Sequence, residues 1–147
     1  MAPHRSGGSS RLTPRKPITV VLDTNFLMVP IRFGVDVFLE LDRLIGGAFQ
    51  VAVTTSVIGE IKKLREGAKP SMIKELDFAA SQAAQCIVIY EPLKHGESVD
   101  DQILRLAKRE DYIVATTDNA LRRRLMEASV PTVYLRQRNH LEIVGYP

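Results

Sequence analysis

The sequence of 147 residues holds a single cysteine, Cys86, and no tryptophan. One cysteine excludes an intramolecular disulfide framework and any zinc site built on several thiolates, and a reducing, cytoplasmic setting is the expectation. His4, His95 and His140 lack the spacing of metal ligands, and none pairs with a nucleophile. No apolar run approaches the ~18 residues of a membrane span, and the N-terminus lacks a secretory apolar core, so a soluble protein without a membrane partner is expected. A glycine-rich phosphate loop and internal repeats are also missing. What is present is 45% hydrophobic residues, and a chain near ~150 residues can bury roughly 68 to 70% of its unfolded surface in one domain.

Positive charge is unevenly placed. Residues 1–17 contain Arg5, Arg11, Arg15 and Lys16 and no acid, which leaves 16 basic against 17 acidic residues in the rest. This Pro-, Gly- and Ser-containing stretch has no apolar periodicity and is expected to be a disordered basic tail, with a folded domain over residues 18–147. Such an arm suits the backbone of a nucleic acid, where phosphate contacts add salt-sensitive affinity. A solvated leader is the alternative.

Ile18–Leu22 is an apolar, β-branched run without alternation, the pattern of a strand buried on both faces. Similar runs at Gln50–Val53, Cys86–Tyr90, Tyr112–Thr116 and Thr132–Leu135 predict about five strands. Between them, helical spacing joins Phe38, Leu41, Leu44 and Ile45, then Val57, Ile58, Ile61 and Leu64. Met72, Leu76 and Ala80 predict a third helix, Ile103, Leu104 and Ala107 a fourth, and Leu121 and Leu125 a fifth. Alternating strands and helices imply an α/β fold with a central parallel sheet covered by helices on both faces. In such sheets ligands bind beyond the carboxyl ends of the strands.

Four carboxylates fall near that rim. Asp23 ends the first strand and Asp118 ends the run from Tyr112; each also suits a helix N-cap. Glu60 borders the apolar face of its helix, although a surface pair with Lys63 would account for it. Ser98 and Asp101 have the spacing of a capping box, which explains Asp101 and leaves Asp100 on the side of Ile103, Leu104 and Ala107. Caps and surface acids have no reason to share one rim. Clustered carboxylates repel unless a cation lies among them, and a hard oxygen set without His or Cys selects Mg2+ or Mn2+. Hydrolysis of a phosphodiester is the economical chemistry for such a set. Arg122, Arg123, Arg124, Arg136 and Arg138 follow the last acid and could hold a nucleic-acid backbone, or form a solvated face. Cys86, at the start of an apolar run, reads as a small core residue.

Val21-Leu22-Asp23-Thr24-Asn25-Phe26-Leu27, the helix carrying Glu60, Val99-Asp100-Asp101-Gln102-Ile103-Leu104, and Val114-Ala115-Thr116-Thr117-Asp118 followed by Leu121-Arg122-Arg123-Arg124 resemble the PIN-domain nucleases. Within that family they look most like archaeal relatives of the processome endonuclease that cuts precursor ribosomal RNA, with VapC-like toxins more distant. The likeness runs from about Ile18 to Ile143. It implies a single PIN-like domain and metal binding by Asp23, Glu60, Asp100 and Asp118. Asp101 is then auxiliary, and Asn25 and Thr116 orient the ligands. It also implies a metal-dependent endoribonuclease acting on single-stranded or structured RNA, in ribosomal RNA processing or as a toxin, with a homodimer, a pre-ribosomal particle or an antitoxin as partner. The cysteine pairs of some processome relatives are absent. Two other classes compete: a PIN-like RNA-binding scaffold with little turnover, and an aspartyl-phosphate phosphatase or receiver. The last lacks its second Asp after Asp23 and a suitable late-strand lysine.

Overall fold

Strand β1 (Ile18–Leu22) buries Val20, Val21 and Leu22 almost completely, as its unbroken apolar run requires. The computed structural model describes residues 17–146, so the basic tail lies outside the described residues save for Pro17. After β1 come a 3-10 turn (Asn25–Met28), α1 (Val29–Phe33), α2 (Val37–Ile45), β2 (Phe49–Thr54), α3 (Thr55–Arg65), α4 (Pro70–Ala83) and β3 (Ile87–Ile89). The second half contains α5 (Val99–Glu110), β4 (Ile113–Ala115), α6 (Asn119–Glu127), β5 (Thr132–Arg136) and β6 (His140–Val144).

The sheet order is β3-β2-β1-β4-β5-β6, parallel from β3 to β5, with β6 antiparallel to β5. The five anticipated strands are present, and β6 is an addition. Its partly buried sequence, His140-Leu141-Glu142-Ile143-Val144, resembles a chain end until it is paired. Leu141 alone is fully buried there, and besides its pairing with β5 the strand is held by α2, where Glu40 accepts the Leu141 amide and Arg43 donates to the Leu141 carbonyl.

Helix ends follow local chemistry. Asp36 caps α2 through the Leu39 amide, and Gly46 closes it in the left-handed conformation (φ 66°) that a Cβ disfavours. Helix α4 buries Leu76, Ala79 and Ala83, so its inner face is rotated from the expected Met72, Leu76 and Ala80; Met72 and Ala80 are exposed. Cys86 is buried and its thiol is pushed up to about 11 by that burial, as suits a core residue.

Strand order reverses between β1 and β4. The chain runs outward from β1 to β3, then returns to β4 and continues the other way. With right-handed crossovers, the helices before β3 and those after it cover opposite faces. Accordingly α3 packs on α4 and α4 on the 3-10 turn, while α5 and α6 pack on each other and on β4 and β5. At the reversal, neighbouring crossovers leave in opposite directions and open a crevice at the carboxyl ends of β1 and β4.

Candidate functional site

Asp23 stands at that crevice, one residue beyond β1, with its amide donating to the Ala115 carbonyl of β4 (3.1 Å). The chain turns immediately into the 3-10 segment because Phe26, Leu27 and Met28 plug into the core, each at most 2% exposed. Burial of such side chains contributes about 1.5 to 3 kcal/mol apiece, which fixes the turn and with it the carboxylate. Asp23 Oδ1 accepts the Phe26 amide at 2.7 Å, and Oδ2 accepts the Thr116 hydroxyl. Thr116 Oγ1 in turn accepts the Asp118 amide (3.0 Å), so the ends of β1 and β4 are joined through one hydroxyl.

Asp118 caps α6, with Oδ1 accepting the amides of Ala120 (2.8 Å) and Leu121 (3.1 Å). The cap and the rim position are therefore the same fact. Glu60 lies on α3, a helix started at the end of β2 by the Thr54 hydroxyl on the Val57 amide (3.1 Å). It is half-buried and accepts the hydroxyl of Thr24. Thr24 is the residue that sequence reasoning missed: buried beside Asp23, it links β1 to α3. Its one sequence signal was a hydroxyl directly after the strand-end acid.

On α5 the two neighbouring acids separate as expected. Ser98 and Asp101 form a reciprocal capping box, Asp101 amide to Ser98 Oγ at 3.0 Å and Ser98 amide to Asp101 Oδ2 at 3.2 Å. Arg124 adds an ion pair at 2.8 Å, and its hydrogen bond, followed by those from Ser98, holds the Asp101 carboxyl below its usual range. Asp100 accepts no hydrogen bond from the described residues. Burial raises its pKa, and repulsion from Asp118 and then Glu60 adds to the rise, against some relief from Arg124.

Asp23 is pushed from 3.8 to about 7, chiefly by burial; its two hydrogen bonds oppose the rise, and the charges of Asp100 and Asp118 add to it. The four acids are thus close enough to influence one another: Asp100 is repelled by Asp118 and Glu60, and Asp23 by Asp100 and Asp118. Among the described residues no three His, Cys, Asp or Glu side chains close into a ready metal cage. The donor set is nevertheless all carboxylate, partly buried and mutually repelling, which fits a hard divalent cation.

The arginines divide. Arg124 is engaged with Asp101, and Arg136 with Glu142 at 3.2 Å. Arg122 lies over the Tyr134 ring (4.5 Å to its centre) and Arg138 over Phe33 (5.5 Å), while Arg123 is exposed. Asn25 is exposed beside Thr116 and Asp118, where all three line a cleft with Arg122 and Tyr134. No helix among the described residues is long and apolar enough to cross a membrane.

Acids at the carboxyl ends of β1 and β4, at a switch in strand order and joined by a hydroxyl, agree with the resemblance drawn from the sequence. A family model described as PIN like domain matches residues 20–138, and the chain belongs to the PIN-domain family. Among individual proteins it is similar to Ribonuclease VapC4 of Methanocaldococcus jannaschii, 29% identical over 134 residues that cover 86% of this chain and 96% of that protein. Its fold is similar to that of the PIN domain endonuclease Utp24, with a TM-score of 0.71, 22% identity, and coverage of 88% of this chain and 93% of the other.

Proposed function

We propose that the protein is a metal-dependent endoribonuclease that hydrolyses phosphodiester bonds in RNA at the rim formed by Asp23, Glu60, Asp100 and Asp118. What supports this reading is the mutual repulsion of carboxylates brought by the end of β1, α3, α5 and the start of α6, Asp23 with Asp100 and Asp118 and Asp100 with Asp118 and Glu60, while none of the four forms an ion pair with an arginine or lysine of the described residues. Membership of the PIN-domain family and the likeness to a ribonuclease support the same chemistry.

Asp23, Asp100 and Asp118 are the residues to hold Mg2+ or Mn2+, with Glu60 closing the set from α3 and Asp101 auxiliary. When bound, such a cation neutralises phosphate charge and lowers the pKa of an attacking water. Thr116 orients Asp23 and ties it to the Asp118 backbone, and Thr24 orients Glu60 through its hydroxyl. Asn25 faces the substrate side. Arg122, Arg123 and Arg138 draw in the phosphate backbone, and Arg124 and Arg136, already paired, take part only by exchanging partners. Water adds to phosphorus and the bond to the 3′ oxygen breaks, leaving a 5′-phosphate and a 3′-hydroxyl.

The test uses single-stranded and hairpin RNAs incubated with Mn2+, Mg2+ or EDTA, beside Asp23→Asn. Metal-dependent cuts with 5′-phosphate ends, lost in the variant, are the expected result. If the wild type binds these RNAs and cuts none with either metal, the protein is a PIN-like binding scaffold instead.

A further inference from the structure

Next to the acid rim, and sharing only Asp118 of its four carboxylates, is a cleft of about 230 Å3. Asp118 and Asn25 line it together with Phe33, Tyr134 and Arg122. We propose that this cleft is a nucleobase subsite, taking one unpaired base of an RNA strand whose adjoining phosphate lies at Asp118. The proposal rests on the nuclease reading for its ligand but on separate residues for its geometry.

Three observations carry it. The lining has two aromatic rings, Phe33 at the end of α1 and Tyr134 in β5, on elements far apart in sequence that both reach this cleft. Over each ring sits a guanidinium, Arg122 at 4.5 Å and Arg138 at 5.5 Å. Neither cation has a carboxylate partner among the described residues, whereas the neighbouring Arg32, Arg124 and Arg136 are each paired with one. Aromatic faces capped by unneutralised guanidinium groups suit a flat, electron-rich ring joined to a phosphate. Beside them the amide of Asn25 offers both a donor and an acceptor to a base edge.

Arg138 is aimed by backbone conformation. Gln137 and Arg138 form the β5–β6 turn with φ of 52° and 62°, and the Asn139 amide closes it on the Arg136 carbonyl (3.2 Å). Both residues are in the left-handed region that non-glycine residues seldom occupy, and the pairing of β5 with β6 is what holds them there. A base inside a duplex presents only its edges, so the cleft selects against paired RNA at the cut.

The experiment uses the full chain in EDTA, so that binding is read without cleavage. The probes are a ten-nucleotide oligouridine with one 2-aminopurine, the same strand without any bases, and a hairpin stem with 2-aminopurine paired. Wild type should quench 2-aminopurine in the open strand and not in the stem, and should bind the baseless strand at least about 5-fold more weakly. In Phe33→Leu and Tyr134→Leu the quench and the preference for the strand with bases should both disappear. Thermal melts establish which variants are folded, and a folded one of the two decides. Equal affinity for strands with and without bases, or quenching kept in a folded variant, would overturn the subsite. Metal-dependent cleavage of the same oligouridine, run in parallel, separates the two readings. Cleavage without base preference removes only the subsite, whereas neither binding nor cleavage removes both.

Discussion

Two sets of carboxylates meet near the start of α5 and live under opposite conditions. Glu97 takes both hydrogen bonds of the Arg105 fork (2.8 Å each), and Glu91 accepts from Arg105 and from Arg109 (2.9 Å). These guanidinium groups, aided for Glu97 by the Lys94 amide, hold Glu97 down at about 2 and lower Glu91 as well. A few residues on, Asp100 has no donor and is raised, and Asp23 reaches about 7. For Glu91 and Glu97 the fold supplies arginines. The rim acids form no ion pair among the described residues, and their mutual repulsion is the condition that a bound cation would relieve.

The largest effect expected from this contrast is on cleavage. Asp23→Asn or Asp100→Asn keeps the side-chain volume and removes one negative ligand, and should reduce metal-dependent cleavage at least ~10²-fold. Saturable Mn2+ binding, measured by calorimetry, should weaken in both variants. Asp101→Asn should weaken it much less, because Asp101 is already engaged by Ser98 and Arg124. Equal losses in all three would erase the distinction between the rim and the paired acids.

Stability should respond next, with opposite signs in the two regions. Asp23 has a raised pKa in the folded chain, so its contribution is fully present below pH 3.8 and is lost as pH rises through about 7. A rise of this size corresponds to about 4 kcal/mol as a ceiling. In EDTA, Asp23→Asn should therefore melt at a higher temperature than wild type at pH 8, with the gap narrowing toward pH 4. Saturating Mn2+ should reverse the order at pH 8. A variant less stable than wild type in EDTA at pH 8 would mean that burial leaves Asp23 unstrained.

Glu97 has the reverse behaviour: its contribution is present above its ordinary value of 4.5 and fades as pH falls toward about 2. Arg105→Ala should lower the melting temperature at pH 7 and converge with wild type in acid, while cleavage is retained. A parallel loss of cleavage would show that the two regions are coupled through α5.

The smallest effect concerns long-range charge. Deleting residues 1–17, or replacing Arg123 with Ala, should flatten the salt dependence of RNA binding by up to ~0.7 in log-log slope for each phosphate that is no longer neutralised. An unchanged slope after the deletion would make the tail an inert leader.

Much of this was legible in the sequence because it rests on neighbours along the chain. The unbroken run Ile18–Leu22 announces a strand buried on both faces, and the Ser98 to Asp101 spacing announces a cap, since both depend on backbone periods of a few residues. The acids at strand ends could be chosen for the same reason. Which acid each neighbouring hydroxyl would meet could not, although the resemblance pointed to Thr116. Thr24 meets Glu60 across 36 residues and Thr116 meets Asp23 across 93, and no local period reports such pairings. Strand β6 was also missed, because its half-buried pattern becomes a strand only once β5 and α2 are beside it. The cleft of Phe33, Tyr134 and Arg122 depends wholly on tertiary structure, as strand order is what brings α1, β5 and α6 to one place. Sequence by itself determined the five parallel strands, the longer helices between them and the acids that follow β1 and β4, because local backbone geometry decides these. Only the folded chain decided which charges would be paired and which left facing one another, because Coulomb energy and desolvation depend on distance and burial in space.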